Sequence, residues 1–139
     1  MANNSQLLHL KIVTPKGIFL EDDVNELVAP GKDGDFGVLI GHTPFISSVR
    51  PGILKIYKNE KPDIYSLMNG FVMVDVDKVR IFTEIIERPD DIDQNRAVRA
   101  KERAEKRLQE KREDTDLRRA EAALKRAIAR IQISEVGFH

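Results

Sequence analysis

The chain has 139 residues, enough for one typical domain or for a small domain with an appendage. Its 23 basic residues are balanced by 23 acidic ones, so charge gives no reason to expect nucleic-acid binding. The absence of cysteine excludes disulfides, cysteine-based metal sites and thiol catalysis. No apolar stretch approaches the ~20 residues of a membrane-spanning helix. The opening residues, MANNSQ, lack the pattern of a signal peptide.

Turn-forming residues divide the chain in two. All six prolines and seven of the eight glycines lie at or before Pro89, whereas residues 90–136 contain neither. Seven of the eight phenylalanine and tyrosine residues also precede Pro89, which places the main hydrophobic core in the first segment. Because proline and glycine interrupt regular structure, we predict a strand-rich domain over residues 1–88 and a helical one over residues 89–139.

The first segment is predicted to form an antiparallel β-sandwich or flattened barrel, because short strand-like runs recur at regular spacing. Apolar and polar residues alternate along several of them, as in half-buried strands. Asn69-Gly70 is typical of a two-residue hairpin turn. The predicted strands are Leu8–Val13, Ile18–Leu20, Val24–Ala29, Ile53–Lys58, Ile64–Met68, Phe71–Val76 and Val79–Glu84.

The second segment is predicted to form an antiparallel hairpin of two helices. Asp91 is the expected N-cap of the first, from Ile92 to Gln109, with Gln94 completing a capping box. A turn over residues 110–114 precedes the second helix, which Asp114 or Thr115 would cap. The expected inner faces are Ala97, Ala100, Ala104 and Leu108 on the first helix, and Leu117, Ala120, Leu124, Ala127, Ile128 and Ile131 on the second.

Alanine contributes little buried apolar area, so this hairpin should be marginally stable by itself and easily opened. That property favours a conformational switch. An ordinary helical appendage is the alternative interpretation of the same periodicity.

No catalytic or metal-binding constellation is predicted. His9, His42 and His139 are isolated in the sequence, and no metal-ligand spacing surrounds them. The glycines of residues 31–41 resemble a phosphate nest, but neither Lys-Ser/Thr nor a helix start follows them. Tight turns and bulges are therefore the favoured interpretation of these glycines.

Charged residues of the helical segment allow two interpretations. Arg119, Arg126 and Arg130 lie on or near one face of the second helix, and Asp93 and Arg96 lie near the start of the first. A solvated charged face is one interpretation. The other is an anion-binding site, since neighbouring arginines repel unless an anion bridges them, and guanidinium groups match phosphate oxygens.

Five motifs follow one another along nearly the whole chain: LKIVTPKGIFLEDDV (residues 10–24), GDFGVLIGHTPFISSVRPG (34–52), NGFVMV (69–74), IDQNRA (92–97) and AEAALKRAIARI (120–131). Together they resemble the epsilon subunit of bacterial F-type ATP synthases. Ile40, where the family usually has proline, and Asn69, where it usually has glycine, depart from the pattern.

The resemblance implies a non-catalytic rotor subunit of the central stalk, without a required cofactor, at the cytoplasmic face of the bacterial cell membrane. In that family the sandwich binds the gamma subunit and the ring of c subunits, and helps to couple ion translocation to ATP synthesis. Asp35 matches a position that faces the ring, and His42 matches one near gamma. The hairpin can extend along gamma into the alpha/beta catalytic hexamer and inhibit ATP hydrolysis. The matching basic residues that would face beta are Arg119, Lys125, Arg126 and Arg130.

In some members of that family, ATP binds the folded hairpin and holds it down. By motif, the matching candidate ligands here are Glu87, Ile92, Asp93, Arg96, Ala97, Arg126 and Arg130. A free-standing nucleotide-sensing module is the alternative function. An enzyme with a site in the sandwich is disfavoured, because no acid, base and nucleophile set is visible.

Overall fold

The computed structural model describes residues 7–110 and 116–137, with residues 136 and 137 described by their backbone alone. Within these ranges, two five-stranded sheets are followed by two helices. The first sheet has the order β2 (Gly17–Val24), β1 (Leu8–Thr14), β9 (Lys78–Phe82), β8 (Phe71–Val74) and β5 (Phe45–Ser48). The second has the order β10 (Ile86–Glu87), β7 (Pro62–Leu67), β6 (Gly52–Tyr57), β3 (Glu26–Gly31) and β4 (Gly34–Leu39).

The two sheets enclose one hydrophobic core, as the alternating pattern predicts. Leu8, Leu10 and Ile12 are completely buried, whereas the intervening residues of β1 are partly exposed. The predicted β-sandwich is confirmed, with one difference: β1 pairs with β9 in parallel. A parallel pair needs a long connection, which the intervening strands supply. The other core residues are Val24, Leu27, Ala29, Val38, Leu54, Ile56, Tyr65, Leu67, Val72, Val74, Val79 and Ile81.

The predicted hairpin at Asn69-Gly70 is wrong. The strands on its two sides belong to different sheets, because β7 pairs with β6 and β10, whereas β8 pairs with β5 and β9. The dipeptide instead carries the chain from one sheet to the other. Gly70 has φ +118°, and the Asn69 side-chain oxygen accepts a hydrogen bond from the amide of Glu84 at 3.2 Å. Asn69 and Gly70 therefore form a turn, as expected. This turn contacts β9 and the segment after it, and not the facing strand of a hairpin.

The glycine-rich segment forms turns and a strand, as the favoured interpretation predicts. Residues 31–34 close the antiparallel pair of β3 and β4, and Gly41 lies in a turn with φ +85°. A side chain on Gly31 would overlap the ring of Phe36. These glycines therefore serve chain reversal and close packing.

The helical hairpin is confirmed, with α1 spanning Gln94–Glu110 and α2 spanning Leu117–Gly137. The predicted N-cap of α1 is wrong: Asp91 ends a 3₁₀ turn, Pro89–Asp91, and its carboxylate accepts from the amide of Arg88. Asp93 is the actual cap, since its Oδ1 accepts from the amide of Arg96 at 3.1 Å. The 3₁₀ turn delays the helix by two residues.

At the start of α2 the cap is Asp116, whose Oδ1 accepts from the amide of Arg119 at 3.1 Å. The proposed caps Asp114 and Thr115 lie outside the described residues. The N-cap of α2 is therefore Asp116, two residues after the predicted Asp114 and one after the predicted Thr115.

Helix α2 is buried on two faces, and only one of them was predicted. Its alanines Ala120 and Ala127 are buried, as are Ala97 and Ala104 of α1. The expected inner residues Leu117 and Ile128 are instead exposed, at 43% and 37%. Ala129 and Ile133 are buried because α2 also packs against β6, β7 and the 3₁₀ turn. The helix therefore lies between α1 and the sandwich.

Arg88 anchors the connection between the two parts. Its guanidinium carbon lies 4.7 Å from the ring centroid of Phe19 and 5.7 Å from that of Tyr65. The two rings meet edge to face at 5.7 Å. This cation–π contact fixes the chain at the point where strands give way to helices.

We expect Gly70→Ala to destabilise the sandwich severely, because a side chain there would overlap the carbonyl oxygen of Phe82 and the backbone has φ +118°. The expected loss in the free energy of unfolding is more than about 3 kcal/mol. Gly17→Ala is the matched control, since Gly17 has φ +120° but open space around it. That variant should lose only about 1–2 kcal/mol from backbone strain. Chemical denaturation measures both, and equal losses would contradict the steric explanation.

Candidate ligand site between the two helices

A cavity of about 390 Å³ lies between α1 and α2, at the end nearest the sandwich. All seven residues predicted as nucleotide ligands line it, although they come from the last strand, the link and both helices. Twelve residues form the lining: Glu87, Asp91, Ile92, Asp93, Arg96, Ala97, Ala100, Arg103, Ala123, Arg126, Ala127 and Arg130. The volume is within the range of small-molecule sites in proteins.

An ion pair forms part of the cavity wall. The Nε of Arg130 donates to the Oε1 of Glu87 at 2.8 Å, and the two side chains are 29% and 25% exposed. The pair joins α2 to β10, the last strand of the sandwich. Both partners are therefore held at the cavity wall.

Three further arginines give the cavity a positive character. Arg96, Arg103 and Arg126 line it and form no salt bridge with any residue in the described ranges. Of the three acidic side chains in the lining, Glu87 is paired with Arg130, and Asp91 and Asp93 accept backbone hydrogen bonds. The arrangement suits an anion with several oxygen atoms, because guanidinium groups bind such groups in bidentate fashion.

Arg103 is a lining residue that sequence reasoning missed. The recognised motif ends at Ala97, whereas Arg103 lies six residues further along α1. Its spacing from Arg96 and Ala100, at seven and three residues, places all three on one face of the helix. The helical periodicity was therefore enough to place Arg103 on the same face as Arg96. That this face lines a cavity became clear only from the position of α2.

The apolar part of the lining comes from small or half-buried side chains. Ile92 is half-buried at the start of the hairpin, and Ala97 is 3% exposed. Ala100, Ala123 and Ala127 continue this surface between the helices. Because alanines occupy these positions, the helices approach closely while the cavity near the sandwich stays open.

The remaining predicted site residues lie elsewhere. Asp35 is exposed on β4, and its Oδ1 accepts from Arg50 at 2.6 Å. His42 is half-buried, donates from Nδ1 to the carbonyl oxygen of Thr43 at 2.8 Å, and packs 5.1 Å from the ring of Phe45. The structure does not bring Asp35 and His42 into the inter-helix cavity.

The four basic residues predicted to face beta have different surroundings. Arg126 and Arg130 line the inter-helix cavity, and Arg119 is exposed in the first turn of α2. Lys125 lines a second cavity of about 510 Å³, between α2 and the sandwich, and Arg126 borders this one as well. The hairpin in this conformation therefore does not present the four as one surface.

The histidines form no shared site within the described part of the chain. His9 bonds through its two ring nitrogens to Asp23 at 3.0 Å and Glu21 at 2.9 Å. These carboxylates raise the pKa of His9 above its ordinary value by hydrogen bonding and by their charge. His9 thus links β1 to the edge strand β2, and His139 lies outside the described residues.

Two domain families match consecutive parts of the chain. The beta-sandwich domain of the ATP synthase Delta/Epsilon chain matches residues 7–89, and the long alpha-helix domain of the same chain matches residues 90–135. The chain belongs to the ATP synthase delta/epsilon family.

Bacterial relatives narrow this class to epsilon chains. The ATP synthase epsilon chain of Desulfosudis oleivorans is 47% identical over 111 residues, covering 78% of this chain and 80% of the relative. That of Nitratidesulfovibrio vulgaris is 44% identical over 126 residues, covering 91% and 94%. The predicted resemblance to epsilon subunits is confirmed.

A solved structure has the same fold over almost the whole chain. A chain in the Euglena gracilis mitochondrial ATP synthase, described as OSCP/F1/c-ring in rotational state 1, superposes with a TM-score of 0.83 and 26% identity. The match covers 99% of this chain and 85% of that one. Among the described helices, none is sufficiently long and apolar to cross a membrane.

We expect Asp93→Ala to lower stability by about 1 kcal/mol, because the first turn of α1 loses its side-chain cap. Asp93→Asn keeps a capping oxygen without the charge and should leave stability nearly unchanged. Thermal unfolding followed by circular dichroism at the helix band measures both variants. A loss of the same size with Asn would show that the charge, and not the cap, stabilises the helix.

Proposed function

We propose that this chain is the non-catalytic, epsilon-type subunit of a rotary ATP synthase, and that its inter-helix cavity binds ATP. Bound ATP holds the hairpin against the sandwich, and the released hairpin inhibits ATP hydrolysis by the complex. One observation carries the proposal of ATP binding: seven residues that are scattered over 44 positions of the sequence line a single cavity. Three arginines of its lining, Arg96, Arg103 and Arg126, form no salt bridge with any described residue.

The chemistry of the cavity fits a nucleoside triphosphate. Arg96, Arg103 and Arg126 supply guanidinium groups for phosphate oxygens. Ile92 and the alanines supply an apolar wall for a base, and the carboxylates of Glu87 and Asp93 are acceptors for its amino group. These roles require no catalytic residue and no metal ligand from this chain.

Binding would be linked to docking of the hairpin, because the lining is assembled from both helices and from the sandwich. A ligand that binds only this assembled state stabilises it by RT ln(1 + [L]/Kd), about 2.7 kcal/mol at a hundredfold excess over Kd. The hairpin interior is made largely of alanines, so its own stabilisation is small. A nucleotide can therefore decide the position of this equilibrium.

The same arginines would bind ATP in the docked hairpin and contact beta in the released hairpin. Arg126 and Arg130 line the cavity when the hairpin is docked, so they are not available there to acidic segments of beta. Once α2 leaves the sandwich, Arg119, Lys125, Arg126 and Arg130 can contact beta together. ATP binding and inhibition would then exclude one another, because they compete for the same side chains.

The sandwich would provide the permanent attachment to the rotor, by contacts with gamma and the c-ring at the cytoplasmic face of the membrane. Asp35 and His42 lie on either side of Leu39, which is 55% exposed, and Ile46 nearby in sequence is 67% exposed. Exposed apolar residues next to polar ones are typical of protein-binding surfaces. We assign Asp35 to the contact with the c-ring and His42 to the contact with gamma.

A free-standing nucleotide sensor would use the same cavity. Membership of the delta/epsilon family over residues 7–135 favours the subunit. Co-purification distinguishes the two functions, since the tagged subunit should isolate with a large ATPase complex and a sensor should not.

We expect isothermal titration calorimetry to detect ATP binding that Arg126→Ala and Arg103→Ala each weaken by roughly tenfold or more, because each loses a charge-assisted hydrogen bond to phosphate. Arg99→Ala is the matched control: Arg99 is an exposed arginine of α1 that does not line the cavity. Its affinity for ATP should equal that of the wild type. No heat with the wild-type chain would reject the site, and a loss with Arg99→Ala would reject the specific geometry.

We expect truncation after Glu87 to raise ATP hydrolysis by the assembled complex severalfold, because the inhibitory hairpin is removed while the sandwich remains. The measurement is the steady-state hydrolysis rate of complexes purified through another subunit, with subunit stoichiometry as the control. Unchanged hydrolysis in a fully assembled complex would show that this hairpin is not an inhibitor.

A further inference from the structure

Ser66 is a buried polar residue of the second sheet. It lies in β7 with 0% of its surface exposed, and its hydroxyl oxygen has no hydrogen-bond partner in the described structure. Buried hydroxyls are nearly always hydrogen-bonded, because leaving one unpaired forfeits its hydration without compensation. The position therefore requires a physical explanation.

The register of the second sheet places Ser66 beside Glu87. The two residues are directly opposite in the antiparallel pair of β7 and β10, so their side chains lie on the same face, with Cβ atoms about 4.5–5.5 Å apart. The neighbouring pair, Leu67 and Ile86, packs on the hydrophobic core. Ser66 and Glu87 therefore project from the opposite face, which α2 covers.

Glu87 has unused capacity to accept hydrogen bonds. One of its carboxylate oxygens accepts from Arg130 at 2.8 Å, and a carboxylate offers about four acceptor positions. Rotation of the Ser66 hydroxyl and a change of rotamer at either side chain would bring this donor and acceptor together. The unpaired donor thus lies next to a carboxylate in the wall of the cavity.

We propose that Ser66 is a positioning residue of the inter-helix site, whose hydroxyl donates to Glu87 when an anionic ligand draws Arg130 away from that carboxylate. The inference rests on the proposed binding of ATP in this cavity. A half-buried carboxylate that loses its cation is strongly destabilised unless another donor replaces it. Ser66 supplies that donor, and while Arg130 stays on Glu87 the buried hydroxyl carries the cost of being unpaired.

Ser66→Ala tests the inference, because two readouts should move in opposite directions. The melting temperature of the unliganded chain should rise by roughly 2–4 °C, since a buried unpaired hydroxyl is removed. The affinity for ATP, measured by calorimetry, should fall by roughly tenfold, since Glu87 loses its replacement donor. A residue with a purely structural role would change stability and affinity in the same direction.

Ser134→Ala is the matched control. Ser134 is also buried, at 1% exposure, but its hydroxyl already donates to the carbonyl oxygen of Ile131 at 2.8 Å. This variant should not raise the melting temperature and should bind ATP as the wild type does. In a Glu87→Ala background, Ser66→Ala should cause no further loss of affinity, because the hydroxyl acts through Glu87.

The outcomes separate this inference from the proposed function. If the wild type binds ATP and Ser66→Ala binds it equally well, the role of Ser66 is rejected and the ATP site stands. If the wild type binds no ATP, both are rejected. A lower melting temperature for unliganded Ser66→Ala would also reject the inference, because the hydroxyl would then be satisfied without a ligand.

Discussion

The ion pair between Glu87 and Arg130 is the interaction on which the arrangement of this molecule depends. The two residues are 43 positions apart, one at the end of the last strand and the other on the second helix. Their contact joins α2 to β10, and both side chains line the inter-helix cavity. Each side chain is about three-quarters buried, so separating them without a new partner would leave a poorly solvated charge.

Alanine packing determines how much else holds the hairpin in place. The buried positions of α1 are Ala97 and Ala104, and those of α2 include Ala120, Ala127 and Ala129. Such small side chains let the helices approach closely but remove little apolar surface from water. Polar contacts at the base of the hairpin consequently have a larger share in docking than they would in an ordinary core. This makes docking sensitive to any ligand that engages the arginines of the cavity.

The predictions succeeded where a local pattern was enough and failed where two distant segments had to be compared. Alternation in residues 8–12 identified β1 correctly, because its inward side chains all enter one core. Asn69-Gly70 has the composition of a hairpin turn, but the strands around it pair in different sheets. Ile133 was missed because its burial depends on the sandwich beneath α2, and the pattern considered only the face toward α1. The cap at Asp93 was displaced from Asp91 by a 3₁₀ turn that Pro89 begins.

By itself, the sequence determined the division at Pro89, the strand and helix types on either side, the alanine composition of the hairpin and the family of the chain. These follow from local backbone preferences, side-chain periodicity and motifs, which act over a few residues. The motifs had already grouped Glu87 and Arg126 as candidate ligands of one site. Only the tertiary structure decided that Arg103 lines the same cavity, and that Ser66 lies buried beside Glu87. Those relations depend on the register of β7 with β10 and on the packing of α2 against its two neighbours. Both the register and the packing are set by contacts between segments far apart in the chain. A pattern of neighbouring residues does not show the energies of such contacts.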